Sequence, residues 1–445
     1  MAGGNGQTTR VLATLSVVVR VVLVLALIAV IVPMVAGEPG VLDRLIGRGS
    51  TVDDWSEASA VFTRDGATPA QRRELRSQLQ AHLAHHATLS VRFMRATVSG
   101  DPEFVETANA VLVRNTQDLR GTLQPALGDK AADQFAELWE QQTRHLFSYA
   151  AGVRDDDEAA RDEAHRNLSS TIADQSALLD GATGGRLSAD LAATKLQMQA
   201  DLLLFQIDAY GDHNYAQAYE LEREAFGNMY PLGAAIAAAA AGKDPRRIST
   251  TPREEIASSL ALLMEEHVEL SIDVIRAGAN GSSEFGAAAT ALDANTAELT
   301  RAMSTLLGKG PARRFNRRWV RHIDLMMRYT VAVAEQDVAA RTELQRRLDA
   351  TMRGFGPALA KATGGKVKAR MLTNAMTTHQ YQMLDQISSF VSADYEQAHD
   401  TAYDAYMHMN GAATRLGQAL GAAVRDGLPR GGAATGGGGM ATPTS

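Results

Sequence analysis

One long stretch of this chain is written twice. Leu89-Ser90, Arg95-Ala96 and Gly100-x-x-Glu103-Phe104 recur as Leu270-Ser271, Arg276-Ala277 and Gly281-x-x-Glu284-Phe285, an offset of 181. One residue is then lost, and the register continues at 180. Asn115-Thr116 meets Asn295-Thr296, Phe135 meets Phe315, Trp139 meets Trp319 and Tyr149 meets Tyr329. Ala182-Thr-Gly-Gly185 then meets Ala362-Thr-Gly-Gly365, Gln206 meets Gln386, Tyr215 meets Tyr395 and Met229 meets Met409. Chance similarity of Ala-rich helices does not hold one register this long, so the chain reads as two copies of one unit.

Within each copy the apolar residues recur at helical rather than strand spacing. The breaks fall at Gly-Asp-Pro or Gly-Ser-Ser, at Leu-Gly, near the acidic run Asp155 to Glu158, at Thr-Gly-Gly and near Gly211 or Ser392. Each copy therefore predicts about six helices, and the fold class is all-α: two tandem homologous helical bundles behind an N-terminal transmembrane helix. The expected boundaries are 71–242 for the first bundle and 252–428 for the second. Lys243 to Thr251, with Asp244-Pro245, forms the joint.

Val11 to Ala36 is apolar apart from small polar residues and Arg20, one membrane-length segment. Arg10 and Arg20 lie at its start, while Glu38 and Asp43 offset Arg44 and Arg48 beyond it, so charge favours an N-inside orientation with the rest exported. Val35-Ala36-Gly37 also reads as a small-residue cleavage site. The length of the apolar stretch favours an uncleaved anchor, so residues 1–37 are expected to be a cytoplasmic stub and anchor and 38–70 a linker. Residues 429–445, Gly-rich, are expected to form a disordered tail. The chain has no Cys, which excludes thiolate sites and disulfides, and its net charge of −7 argues against nucleic-acid binding. The expected partners are the membrane and a metal ion.

Polar residues sit where the helical stripes predict core. Leu260, Leu263, His267, Leu270 and Val274 share a face, as do Phe315, Trp319, His322, Met326 and Tyr329, and Leu372, Met376, His379, Met383, Gln386 and Phe390. His408, with Thr401, Ala405 and Ala412, lies on a less clean inward face of the last helix. Four helices of the second copy thus contribute one inward histidine each. The same positions in the first copy are His86, Gln142, Gln199 and Asn228. Amides fill an imidazole's volume but are poor transition-metal ligands, whereas neutral imidazole suits zinc, copper, nickel and iron. The expectation is one active copy and one degenerate copy, with His267, His322, His379 and His408 as ligands of copper or zinc, or less favourably of haem. Met264, Met326, Met383, Met407 and Met409 lie within a turn of these histidines, though methionine is also a common core filler. The competing reading is a structural or interaction module of the cell envelope whose histidines form a buried network with Asn295, Gln386 and Tyr329.

Glu266, Asp385 and Tyr395 are candidates to orient the histidines. His82, His85 and His86 form a local cluster without the Glu of a zinc-protease motif. His145, His165, His213 and His399 read as surface or helix-end residues, and Arg313, Arg314, Arg317 and Arg318 as a solvated basic face. Trp139 and Trp319 are expected to pack beside the site, and Asn115 and Asn295 to be buried hydrogen-bonders. No Walker loop, dinucleotide fingerprint, nucleophile elbow or Glu-x-x-His pair is present, so catalysis has little positive support.

Glu266-His267-Val-Glu-Leu270, Ala291-Leu-Asp-Ala-Asn-Thr296, Trp319-Val-Arg-His322 with Tyr329, His379 and Tyr406-Met-His408-Met409 together resemble a family of exported helical proteins of Gram-positive bacteria. Some members carry a label from copper amine oxidase-like N-terminal domains. The resemblance covers both copies and implies an extracytoplasmic location and a helical-bundle architecture, with no assigned activity.

Overall fold

A computed structural model describes residues 67–100, 102–248 and 250–424. They form an all-α fold in which no strand occurs among the described residues. The first half runs α1 (Pro69–Ser99), α2 (Pro102–Leu127), α3 (Asp129–Arg154), α4 (Glu158–Thr183), α5 (Ala189–Gly211) and α6 (Tyr215–Ala240). A single 3₁₀ turn, Pro245–Arg247, occupies the expected joint. The second half runs α7 (Pro252–Ala279), α8 (Phe285–Leu307), α9 (Lys309–Ala334), α10 (Val338–Arg353), α11 (Phe355–Ala362), α12 (Ala369–Val391) and α13 (Tyr395–Val424). Among the described residues no helix is long and apolar enough to cross a membrane. The expected anchor at Val11–Ala36 and the Gly-rich tail lie outside the described residues.

Local chemistry sets the helix ends. Thr68 and Thr251 open α1 and α7 with capping boxes, their hydroxyls accepting from the amides of Gln71 and Glu254, whose side chains accept in return, and a proline follows each. Asp157 and Asp337 cap α4 and α10 by accepting from Ala160 and Ala340. The acidic run Asp155 to Glu158 is thus an exposed turn with a cap inside it.

In each half the helices pack in chain order, and the first closes on the last, α1 on α6 and α7 on α13. The halves meet reciprocally: α6 lies on α8 of the second half, and α13 on α2 of the first. One apolar core runs through both, from Leu75 to Leu420. The halves are therefore not two beads on a string. α1 and α7 are covered on all sides, buried at every position over 79–97 and 264–275.

One difference between halves bears on the site. Where α4 is continuous, the corresponding segment of the second half is interrupted at Gly354 to give α10 and the short α11. Gly356 then brings α11 so close to α12 that a Cβ there would sit 2.1 Å from the carbonyl oxygen of Ala369. The adjacent Phe355 is fully buried, edge-on to Trp319 at 5.9 Å.

Candidate metal centre

Three of the four expected histidines converge. α7 supplies His267, α9 His322 and α12 His379, all 0% exposed. Their ring centroids form a nearly regular triangle with sides of 6.1, 6.4 and 5.9 Å. One nitrogen from each ring can be chosen so that all three lie within 4.8 Å of one another. This is the only such group of three or more metal-ligating side chains among the described residues.

The triangle is walled by aromatic rings. Trp319, on the turn of α9 before His322, lies 4.5 Å from the His267 ring and is stacked in turn on Phe315. Burial drives all three imidazoles towards neutrality: His322 is lowered to about 4, and His267 and His379 well below their ordinary value. Neighbouring histidines add to the effect at His267 and His379. Neutral imidazole carries the lone pair a metal requires.

Those lone pairs are not otherwise used. Both ring nitrogens of His322, both of His379 and Nδ1 of His267 have no hydrogen-bond partner in the protein. The remaining one, His267 Nε2, is 3.5 Å from the Ser271 hydroxyl. An orphaned buried polar group costs about 1–3 kcal/mol, so a cluster of five is a conspicuous expense for a structural core.

His408 is placed differently. It sits on α13 beside His379, half-buried, and its Nε2 donates to the carbonyl of Ala375 at 2.9 Å. The structure thus brings together His267, His322 and His379 and holds the fourth candidate on backbone.

The equivalent positions in the first half bond to neighbouring side chains, although His86 Nε2, Gln175 Oε1 and Gln199 Nε2 stay unpaired. His86 Nδ1 bonds Asn115 Oδ1 at 3.1 Å, and Asn115 donates to the carbonyl of His82. Gln142 Oε1 accepts from Gln175 at 2.9 Å, and Gln199 Oε1 accepts from Asn228 at 3.1 Å. Phe355 stands where Gln175 would in the second half, so His322 loses the corresponding donor.

The residues expected to orient the histidines are engaged elsewhere. Glu266 is paired with Arg223 at 2.9 Å and accepts from Asn295 at 2.6 Å. Asp385 is half-buried, its carboxyl pushed up by burial. Tyr395 packs edge-on against Phe104. Trp139, Trp319, Asn115 and Asn295 are fully buried as expected. His165 and His213 are exposed and His145 half-buried, but His399 corrects the surface reading: it is 7% exposed, tilted against Phe104 at 4.9 Å, because α13 packs on α2.

A second polar centre, between the halves, was not anticipated from sequence. Arg92 of α1 pairs with Glu269 at 2.6 Å and Asp273 at 3.0 Å on α7, and His85 meets Glu269 at 3.3 Å while stacking on Tyr406 at 4.0 Å. Arg95 pairs with Glu222 at 3.0 Å. Glu265 accepts from Tyr406 and Asn410, each at 2.7 Å; burial nonetheless pushes its carboxyl up to about 7. All of these side chains are buried. The available signal was Glu265, Glu269 and Asp273 at four-residue spacing on a helix that otherwise reads as core.

No protein-family model matches the chain, nor does any curated protein or any solved structure.

Proposed function

We infer that the chain is an exported, membrane-tethered protein that holds one transition-metal ion, copper or zinc, at His267, His322 and His379. The observation that carries this is the group of buried imidazoles that can each bring one nitrogen within 4.8 Å of the others, five of the six ring nitrogens having no partner in the protein. A structural network would pair them, as the amides of the first half pair with one another. Membrane attachment rests on the apolar segment Val11–Ala36 with its flanking charges.

The same reading takes the halves as one duplicated unit. It is supported by the sequence register and by left-handed turn residues that recur at an offset of 180: Asp156 with Gln336, and His213 with Ala393. All four have positive φ without being glycine, an uncommon backbone state. Elemental analysis of the full-length chain purified with copper and zinc supplied tests the function. The expected result is about one metal ion per chain, lost on replacing His322 and His379 by Gln. Metal below about 0.2 per chain in the unaltered protein would sink the reading, since a ligand set of this kind binds far above that occupancy when metal is supplied.

A further inference from the structure

Resting on the metal-site reading, we propose that the occupant is a singly charged ion, Cu(I), held by His267, His322 and His379 alone in a three-coordinate site. The first argument is charge. The three ligands are neutral, no carboxylate belongs to the cluster, and the nearest acid in sequence, Glu266, is spent on Arg223 and Asn295. The solvation lost by an ion entering an enclosed apolar site grows as the square of its charge, so a doubly charged ion loses about four times as much as a singly charged one, with nothing to compensate it.

The second argument is coordination number. Zinc takes four ligands in nearly all sites, the fourth being a protein group or water. All three imidazoles are 0% exposed and Trp319 packs against His267 and His322, so bulk water does not reach the metal. The one further imidazole at hand, His408, stands outside the group whose ring nitrogens lie within 4.8 Å of one another, its Nε2 donating to Ala375. That contact has a counterpart in the half without the histidine cluster: Asn228 donates to the carbonyl of Lys195 at 3.4 Å, at the same offset of 180. A bond made in both halves is an attachment of the last helix to the fifth element of the bundle and does not depend on a metal. Cu(I) is satisfied by three imidazoles, and its softness suits a site where buried Met376 and Met383 lie one turn to either side of His379 on α12. Metal–nitrogen bonds of about 2.0 Å put the ligand atoms of a trigonal ion about 3.5 Å apart, so a closure of about 1 Å, within side-chain rotation, takes the cluster to that geometry.

The test is an anaerobic titration of the full-length chain with Cu(I), kept reduced by ascorbate, against a chromogenic Cu(I) chelator. A parallel titration uses Zn(II) against a fluorescent zinc chelator. The proteins are the unaltered chain, His408→Asn, which keeps the carbonyl bond, and His322→Gln/His379→Gln. Circular dichroism confirms the fold of each variant. The expected result is one Cu(I) per chain, bound at least about 100-fold more tightly than Zn(II). The affinity of His408→Asn should lie within about tenfold, and that of the double variant should fall by about 100-fold or more. A smaller Cu(I) preference, or a greater loss in His408→Asn, overturns the three-coordinate Cu(I) proposal while leaving a metal site standing. Binding of neither ion removes both readings. The wild-type selectivity decides the matter even where a variant fails to fold.

Discussion

His408 and Asn228 make one bond twice: 180 residues apart, each donates a side-chain N–H to the carbonyl of a residue on the preceding helix, Ala375 and Lys195 respectively. The halves therefore share scaffolding at this position and differ in what surrounds it. That separates groups that build the bundle from groups that serve the candidate site.

The first half should be convertible. Replacing Gln142 and Gln199 by His, together with Gln175→Phe to remove the donor from which Gln142 now accepts, would place two imidazoles beside His86, three in all, next to Trp139. Metal content measured by elemental analysis should rise from about one to about two ions per chain. A triple variant that folds and stays at one would show that the two bundles differ in more than these side chains.

Metal should stabilise the protein and do so only through the cluster. At a free concentration 100 times the dissociation constant, a ligand that binds only the folded state adds about 2.7 kcal/mol. For a chain of this size that corresponds to a rise in Tm of several degrees. His322→Gln should remove the shift, while the metal-free melting of this variant should stay close to that of the unaltered protein, because one buried, unpaired polar side chain replaces another. Equal shifts in both proteins would place the metal elsewhere.

Acid should unfold the metal-free protein early. Burial lowers His82, His86 and His322 to about 4. The unfolded value is about 6.5, so between pH 6.5 and 4 the unfolded state holds protons that the folded state does not. Stability is thus fully present above pH 6.5 and falls as pH drops towards 4, by roughly 1.4 kcal/mol per pH unit for each such group. Urea midpoints at pH 7, 6 and 5 should decline in that order, and His82→Gln should flatten the decline. A pH dependence that His82→Gln leaves unchanged would mean that this ring is hydrated.

The joint between halves should be costly to break from one side. Asp273→Ala leaves Arg92 partly unpaired in a fully buried setting, where loss of one partner typically costs about 3–5 kcal/mol. Replacing Arg92 by Met at the same time should cost less than the sum of the two single losses, Glu269 being left to His85, and a double-mutant cycle in urea would read the difference. Purely additive losses would argue that the pair is not coupled.

Much of the architecture was legible because helix ends and stripes are local. Gly100, the Leu-Gly step before α3, Asp157 and the Thr-Gly-Gly corners mark breaks with residues whose chemistry permits little else. His267, His322 and His379 were legible because each interrupts an apolar stripe at core spacing. Three things were not. The interruption at Gly354 depends on how closely α11 can approach α12, a tertiary fact. The anchoring of His408 depends on a carbonyl from another helix, which no periodicity encodes. The polar centre around Arg92 was hidden because a charge on a helix is ordinarily read as facing water. Here α1 and α7 have no water-facing side over their middle turns, and their charges are satisfied by one another and by α6 and α13.

Arg92 and Asp273 carry a further consequence. They stand at one position of the shared register, 181 residues apart, and they touch. A residue on the axis of a two-fold assembly faces its own copy, so two first halves meeting in this way would set arginine against arginine, and two second halves aspartate against aspartate. Opposite signs at that point are open only to a chain that contains both halves. The pairing makes each half a poor partner for its own kind and a good one for the other.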